Sequence, residues 1–176
     1  MSTISKKMCL VGDFGVGKTS LIRRFVERQF SDQYLSTVGV KISRKNVQLT
    51  GVKQREKLDV QLLIWDLEGH TKFKAIAPSY LAGASGAIIV GDVTRQETID
   101  NIPERMELFL SVNPKGSLIL ALNKCDLVEE EKAAKLLKSM QASQHERVIA
   151  SYATSAKTGA YVDEMFQFLA YKMVEN

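Results

Sequence analysis

Met8-Cys9-Leu10-Val11 runs directly into Gly12-Asp13-Phe14-Gly15-Val16-Gly17-Lys18-Thr19, and this join decides how the chain is read. The first stretch is apolar and reads as a strand. The second fits G-x-x-x-x-G-K-[ST]. Beyond it, Leu21, Ile22, Phe25 and Val26 recur at helical spacing. Strand, loop and helix in that order are what a phosphate-binding loop requires. Its glycines let the backbone wrap an anion, so that N–H groups point inward and the helix N-terminus adds its positive end. Residues Asp13, Phe14, Gly15, Val16, Gly17, Lys18, Thr19 and Ser20 are the candidate phosphate contacts. Lys18 is expected to reach the β/γ-phosphates, with the Thr19 hydroxyl as a ligand of Mg²⁺.

A chain of 176 residues with ordinary apolar content fits one domain, residues 1–176, around one core. No low-complexity tract, Pro-rich linker or internal repeat divides it. No apolar stretch approaches the roughly 20 residues of a membrane span. Met1-Ser2-Thr3-Ile4 lacks the pattern of a signal peptide and the glycine that myristoylation needs. The two cysteines, Cys9 and Cys125, sit inside apolar or motif segments, so a reducing, cytoplasmic setting is expected. The net charge of +4 is modest. Its distribution is uneven: Lys41, Arg44, Lys45, Lys53, Arg55 and Lys57 share a segment whose only acid is Glu56. Such a segment suits a solvated edge hairpin, or an anionic lipid or nucleic-acid partner.

Apolar runs recur at Leu62–Trp65, Ala87–Val90, Leu118–Leu122 and Val148–Ala150, as in strands of a sheet covered on both faces. Amphipathic stretches alternate with them. One is Thr98–Val112 with Pro103 in its first turn, and another begins near Glu129-Glu130-Glu131. The last uses Val162, Met165, Phe166, Leu169, Ala170 and Met173 as its inner face. This alternation argues a doubly wound α/β domain with ligands at the carboxyl ends of the strands. Ser43–Leu63 reads as an antiparallel edge hairpin joined through Thr50-Gly51.

Three further motifs follow predicted strands and fall in the loops after them. In Asp66-Leu67-Glu68-Gly69, the Asp66 carboxylate suits Mg²⁺ and the Gly69 N–H can approach a γ-phosphate. In Asn123-Lys124-Cys125-Asp126, Asp126 can accept from both the ring N–H and the exocyclic amine of guanine. Adenine would leave that carboxylate unpaired, which is a strong ground for rejection. Lys124 can lay its methylene stem across the base, and Leu127 follows the motif. In Ser155-Ala156-Lys157, a backbone N–H can donate to guanine O6 and Lys157 can cover the second face.

With Thr37, these motifs in this order make the chain resemble the Ras superfamily of small GTPases over nearly its whole length, nearest to the Rab-type branch. The resemblance implies a nucleotide-hydrolase G domain: a mostly parallel six-stranded sheet, one antiparallel edge strand, and helices on both faces. It implies GTP and GDP as ligands, Mg²⁺ as cofactor, and Thr19, Thr37 and Asp66 as its ligands. Tyr34 through Val40 looks like switch I, and Trp65 through Tyr80 spans the interswitch end and switch II. Phe30 takes the place of the aromatic that meets the guanine edge. Lys18, Gly69 and His70 would be the catalytic set. Protein effectors, and exchange or activating proteins, would engage residues 34–45 and 68–80, where the switches order around the γ-phosphate.

The chain also departs from that family. Asp66-Leu67-Glu68-Gly69-His70 stands where D-T-A-G-Q is usual, so His70 would replace the water-orienting glutamine, or would be a tolerated switch residue. The D-x-x-G-H form is also similar to translational GTPases. Glu68 would bring negative charge near the γ-phosphate. Phe14 occupies a position where small residues are favoured and would crowd the attacking water or an arginine finger. Of the aromatic triad that typical Rab members present, Trp65 and Tyr80 are in place, while Ile42 replaces a phenylalanine beside Lys41. The sequence finishes at Lys172-Met173-Val174-Glu175-Asn176 without a terminal cysteine, so no lipid anchor is expected. A hydrolysing GTP/GDP switch is the leading expectation. Its alternatives are a guanine-nucleotide-binding module with little hydrolysis, an ATP-using enzyme that Asp126 argues against, and an RNA- or membrane-binding protein acting through the basic hairpin.

Overall fold

Strands β4 (Gly86–Asp92) and β5 (Ser117–Asn123) are buried at every residue, so the sheet that contains them needs a covering on both faces. The computed structural model describes residues 3–31, 39–67, 78–142 and 145–175. Among these, β1 (Ile4–Gly12), β2 (Val40–Val52), β3 (Arg55–Leu67) and β6 (Val148–Ala153) complete a six-stranded sheet in the order β2-β3-β1-β4-β5-β6. Every neighbouring pair is parallel except β2 and β3. This is the expected G-domain sheet with its one antiparallel edge strand. No described helix is long and apolar enough to cross a membrane.

Alternation along the central strands sorts side chains into two cores. Met8, Leu10, Ile88, Val90, Ile119 and Ala121 share one face with α1 (Lys18–Glu27) and α6 (Val162–Glu175). Phe25 of α1 and Phe166 of α6 stack there with ring centroids 4.3 Å apart. Cys9, Val11, Ala87, Ile89, Leu118 and Leu120 point the other way. Short α2 (Pro78–Leu81) and α3 (Gln96–Asp100) cover that face together with α4 (Ile102–Val112) and α5 (Glu130–Ala142). Each residue that the pattern assigned to the inner face of the last helix is buried.

Two boundaries differ from expectation. Thr50 pairs with Lys57 inside the hairpin, and the turn lies at Lys53–Gln54 instead of Thr50-Gly51. Both turn residues have left-handed backbones, φ 49 and 62, as a tight two-residue hairpin loop requires. Burial explains the extension, because Leu49, Val52 and Leu58 reach the core and carry the ladder past the glycine. The helix expected over Thr98–Val112 is split between α3 and α4 at Asn101. Pro103 has no N–H to give the carbonyl of Ile99, which weakens the ladder at this point. Asn101 then turns its side chain toward the phosphate loop.

Replacing Phe166 by alanine removes the stacked ring and opens a cavity between α1 and α6. Urea unfolding should show a loss of about 3–5 kcal/mol with a folded, cooperative protein retained.

Candidate functional site

Parallel strands deliver their carboxyl ends to one edge of the sheet, and the motif residues gather there. Gly12 closes β1, Asn123 closes β5, and Asp66 lies within the last residues of β3. Asp66 and Asn123 were expected in loops. Both remain in the ladder, Asp66 facing Leu10 on one side and Lys41 on the other. That placement removes their backbone freedom and leaves only side-chain rotamers to set.

Each carbonyl from Gly12 to Gly17 has a hydrogen-bond donor, and those of Phe14, Gly15 and Val16 are held from outside the loop. Lys18 Nζ donates to the carbonyls of Gly12 at 2.9 Å and Asp13 at 3.0 Å. Arg95 donates to Phe14 O at 2.5 Å, Lys124 Nζ to Gly15 O at 2.7 Å, and Asn123 Nδ2 to Val16 O at 2.9 Å. The Leu21 N–H takes Gly17 O at 2.9 Å as the first helical bond. A trans peptide aims its N–H opposite to its C=O, so carbonyls held outward leave the amide hydrogens for the inner side. Gly17 makes this possible. Its φ is +100°, and a side chain there would run into the Asn123 amide.

Lys18 is 6% exposed, and burial pushes its ammonium down to about 8, with Asp66 opposing that shift and Arg105 adding to it. Thr19 Oγ1 donates to Asp66 Oδ2 at 2.5 Å. A hydroxyl and a carboxylate side by side at the mouth of this loop are hard oxygen donors, a set that fits Mg²⁺. Ser20 follows, half-buried in the first turn of α1.

At the base end, Ser155 Oγ donates to Asp126 Oδ1 at 2.7 Å and itself accepts from the Thr158 N–H at 3.1 Å. Ser155 and Ala156 are buried, while Leu127 and Lys157 are exposed. Arg24 of α1 donates to the carbonyls of Lys157 and Thr158 and so braces this loop. The stem of Lys124 was expected to lie along a base with its head polar; its ammonium meets Gly15 O at 2.7 Å and Asp92 Oδ2 at 3.0 Å. Phe30 is half-buried against the core that α1 covers. Tyr34, Thr37, Glu68, Gly69 and His70 lie outside the described residues, as do the parts of the two switch segments at 32–38 and 68–77.

Sequence reasoning missed the residues that hold the loop from the side. The Asp13 carboxylate accepts from Arg105 at 2.9 Å and from Asn101 Nδ2 at 2.7 Å. One signal was available. Arg105 falls on the same helical stripe as buried Ile102 and Phe109, where a cation needs a partner.

The Ras family model matches residues 7–175. The Ras-related protein Rab-13 of Canis lupus familiaris is 38% identical over 170 residues, covering 93% of this chain and 77% of that protein. The GTP-binding protein ypt5 of Schizosaccharomyces pombe is 35% identical over 172 residues, covering 97% and 79%. The Ras-related protein Rab-22A of Homo sapiens is 35% identical over 162 residues, covering 91% and 79%.

Breaking the Arg105–Asp13 pair strands a carboxylate whose side chain is 9% exposed. Arg105→Met should therefore cost about 3 kcal/mol in denaturant unfolding. Adding Asp13→Asn should return more than half of that loss, because the amide needs no cation.

Proposed function

Because this chain belongs to the Ras family, we propose that it is a guanine-nucleotide switch that binds GTP and GDP with Mg²⁺ and hydrolyses GTP slowly. One observation carries this reading. Asn123 and Lys124, from the segment that would read the base, donate to Val16 O and Gly15 O of the phosphate loop. Base and phosphate subsites are thereby held at a fixed separation, as one small molecule spanning both requires. The proposal treats residues 1–176 as one G domain with a cytoplasmic location.

Asp126 would select guanine by accepting from its ring N–H and its amine, with Ser155 holding one carboxylate oxygen in place. Ala156 would offer its N–H to O6, and Lys157 and Leu127 would flank the ring. The inward N–H groups of residues 15–18 would bind the phosphates, with Lys18 supplying charge. Thr19 and Asp66, with Thr37, would hold Mg²⁺, which would supply charge to offset that of the phosphates. His70 would orient water in place of the glutamine usual in this family. Phe14 is 39% exposed on the loop, and its ring would crowd the attacking water or an activating arginine. A bulky ring at this position favours slow hydrolysis, and in the limit a binding module that scarcely turns over.

Protein effectors would read the sheet face where Ile42 opposes Trp65 across the hairpin and Lys7 sits 3.6 Å over the indole. Ile42 is 48% exposed and Tyr80 42%. An aliphatic residue and the Lys7 cation on this face favour acidic partners over those that pack on an all-aromatic patch.

Calorimetry with Mg²⁺ present should show GDP preferred over ADP by at least about a thousandfold, and Asp126→Asn should lose most of that preference. Equal affinity for the two diphosphates would overturn the reading. In single-turnover assays, Phe14→Gly should raise the rate of GTP hydrolysis several-fold. His70→Ala should lower it and His70→Gln restore it; indifference to both would remove His70 from the mechanism.

A further inference from the structure

We propose that Arg95 is a positioning residue for the phosphate loop, setting the peptide between Phe14 and Gly15. This rests on the guanine-nucleotide reading and adds to it a residue outside the motifs. Arg95 stands just before α3. Its guanidinium donates to Phe14 O at 2.5 Å and, through Nε, to Asp92 Oδ2 at 3.3 Å. The same carboxylate oxygen lies 3.0 Å from Lys124 Nζ, and Lys124 takes the next carbonyl, Gly15 O, at 2.7 Å. One aspartate thus fixes two cations, and the two cations fix two consecutive loop carbonyls.

The mounting is rigid. Asp92 is 1% exposed, and its Oδ1 accepts from the Thr94 N–H at 2.9 Å and the Thr94 hydroxyl at 2.6 Å. The Thr98 hydroxyl accepts from the Asp92 N–H at 2.8 Å and donates to Arg95 O at 2.7 Å, closing the turn from below. Arg95 therefore leaves a stapled turn at a defined angle. With Phe14 O held outward, the N–H of Gly15 in the same peptide is aimed inward, at the phosphates. Without Arg95 that peptide loses its lateral tie and can rotate, taking one donor away from the anion. Lysine at this position has a single point of charge and can meet Phe14 O or Asp92, whereas the planar fork meets both.

The test compares release of fluorescent GDP and fluorescent GMP from wild type, Arg95→Ala and Arg95→Lys, with folding checked by circular dichroism. GMP lacks the β-phosphate that the loop holds. Arg95→Ala should speed GDP release about tenfold, change GMP release by less than about twofold, and leave the spectrum unchanged; Arg95→Lys should fall between. Unchanged GDP release, or GDP and GMP accelerated by the same factor, would overturn the assignment and leave Arg95 a structural contact only. Failure of the wild type to hold GDP would instead overturn the nucleotide reading itself, and this proposal with it.

Discussion

A carbonyl outside a regular ladder needs a donor, and from Gly12 to Gly17 six in succession have one. A helix or a ladder would satisfy them internally, but a backbone curved round an anion cannot. The donors must come from elsewhere, and here they come from four places: Lys18, the first helical N–H, the end of β5, and the turn before α3. Much of the remaining architecture serves to bring those places together. Gly12 allows its part, since a side chain there would strike the Val90 carbonyl of the neighbouring strand.

Cations clustered this closely repel each other, and three aspartates divide them. Asp13 takes Arg105, Asp92 takes Arg95 and Lys124, and Asp66 lies close enough to Lys18 to favour its charged form. Each carboxylate is nearly out of water, so its charge is tolerated only because hydrogen-bonded partners are in place. The arrangement is specific: losing one member leaves another buried and unpaired. Asp13 and Asp92 hold their charge beside the loop, while Asp66 stands at its mouth next to Thr19.

The motifs and the strand runs were legible because they are local. Gly17, Lys18 and Thr19 announce themselves within eight residues, and Ala87–Val90 or Leu118–Leu122 are apolar in a way only a doubly covered strand needs. Contacts between distant positions were not legible. Asn101 and Arg105 reach Asp13 across some ninety residues of chain, and nothing near Arg95 marks it as a partner of Phe14. The hairpin turn was misplaced for a related reason. Thr50-Gly51 is the stronger turn signal locally, but burial of Val52 outweighs it and moves the bend to Lys53–Gln54. The head of Lys124 was expected to stay polar, but its acceptors, Gly15 O and Asp92 of β4, lie far away in sequence.

The stack of Phe25 on Phe166 has a bearing on how the molecule is made. Ribosomes release the amino-terminal end first, so β1 and α1 emerge long before α6 exists to cover them. During that interval Phe25 and Leu21 have no lid, and the nascent half-sheet is greasy and open-edged. Closure of that side depends on pairing the earliest helix with the latest, the slowest kind of contact for a chain to find.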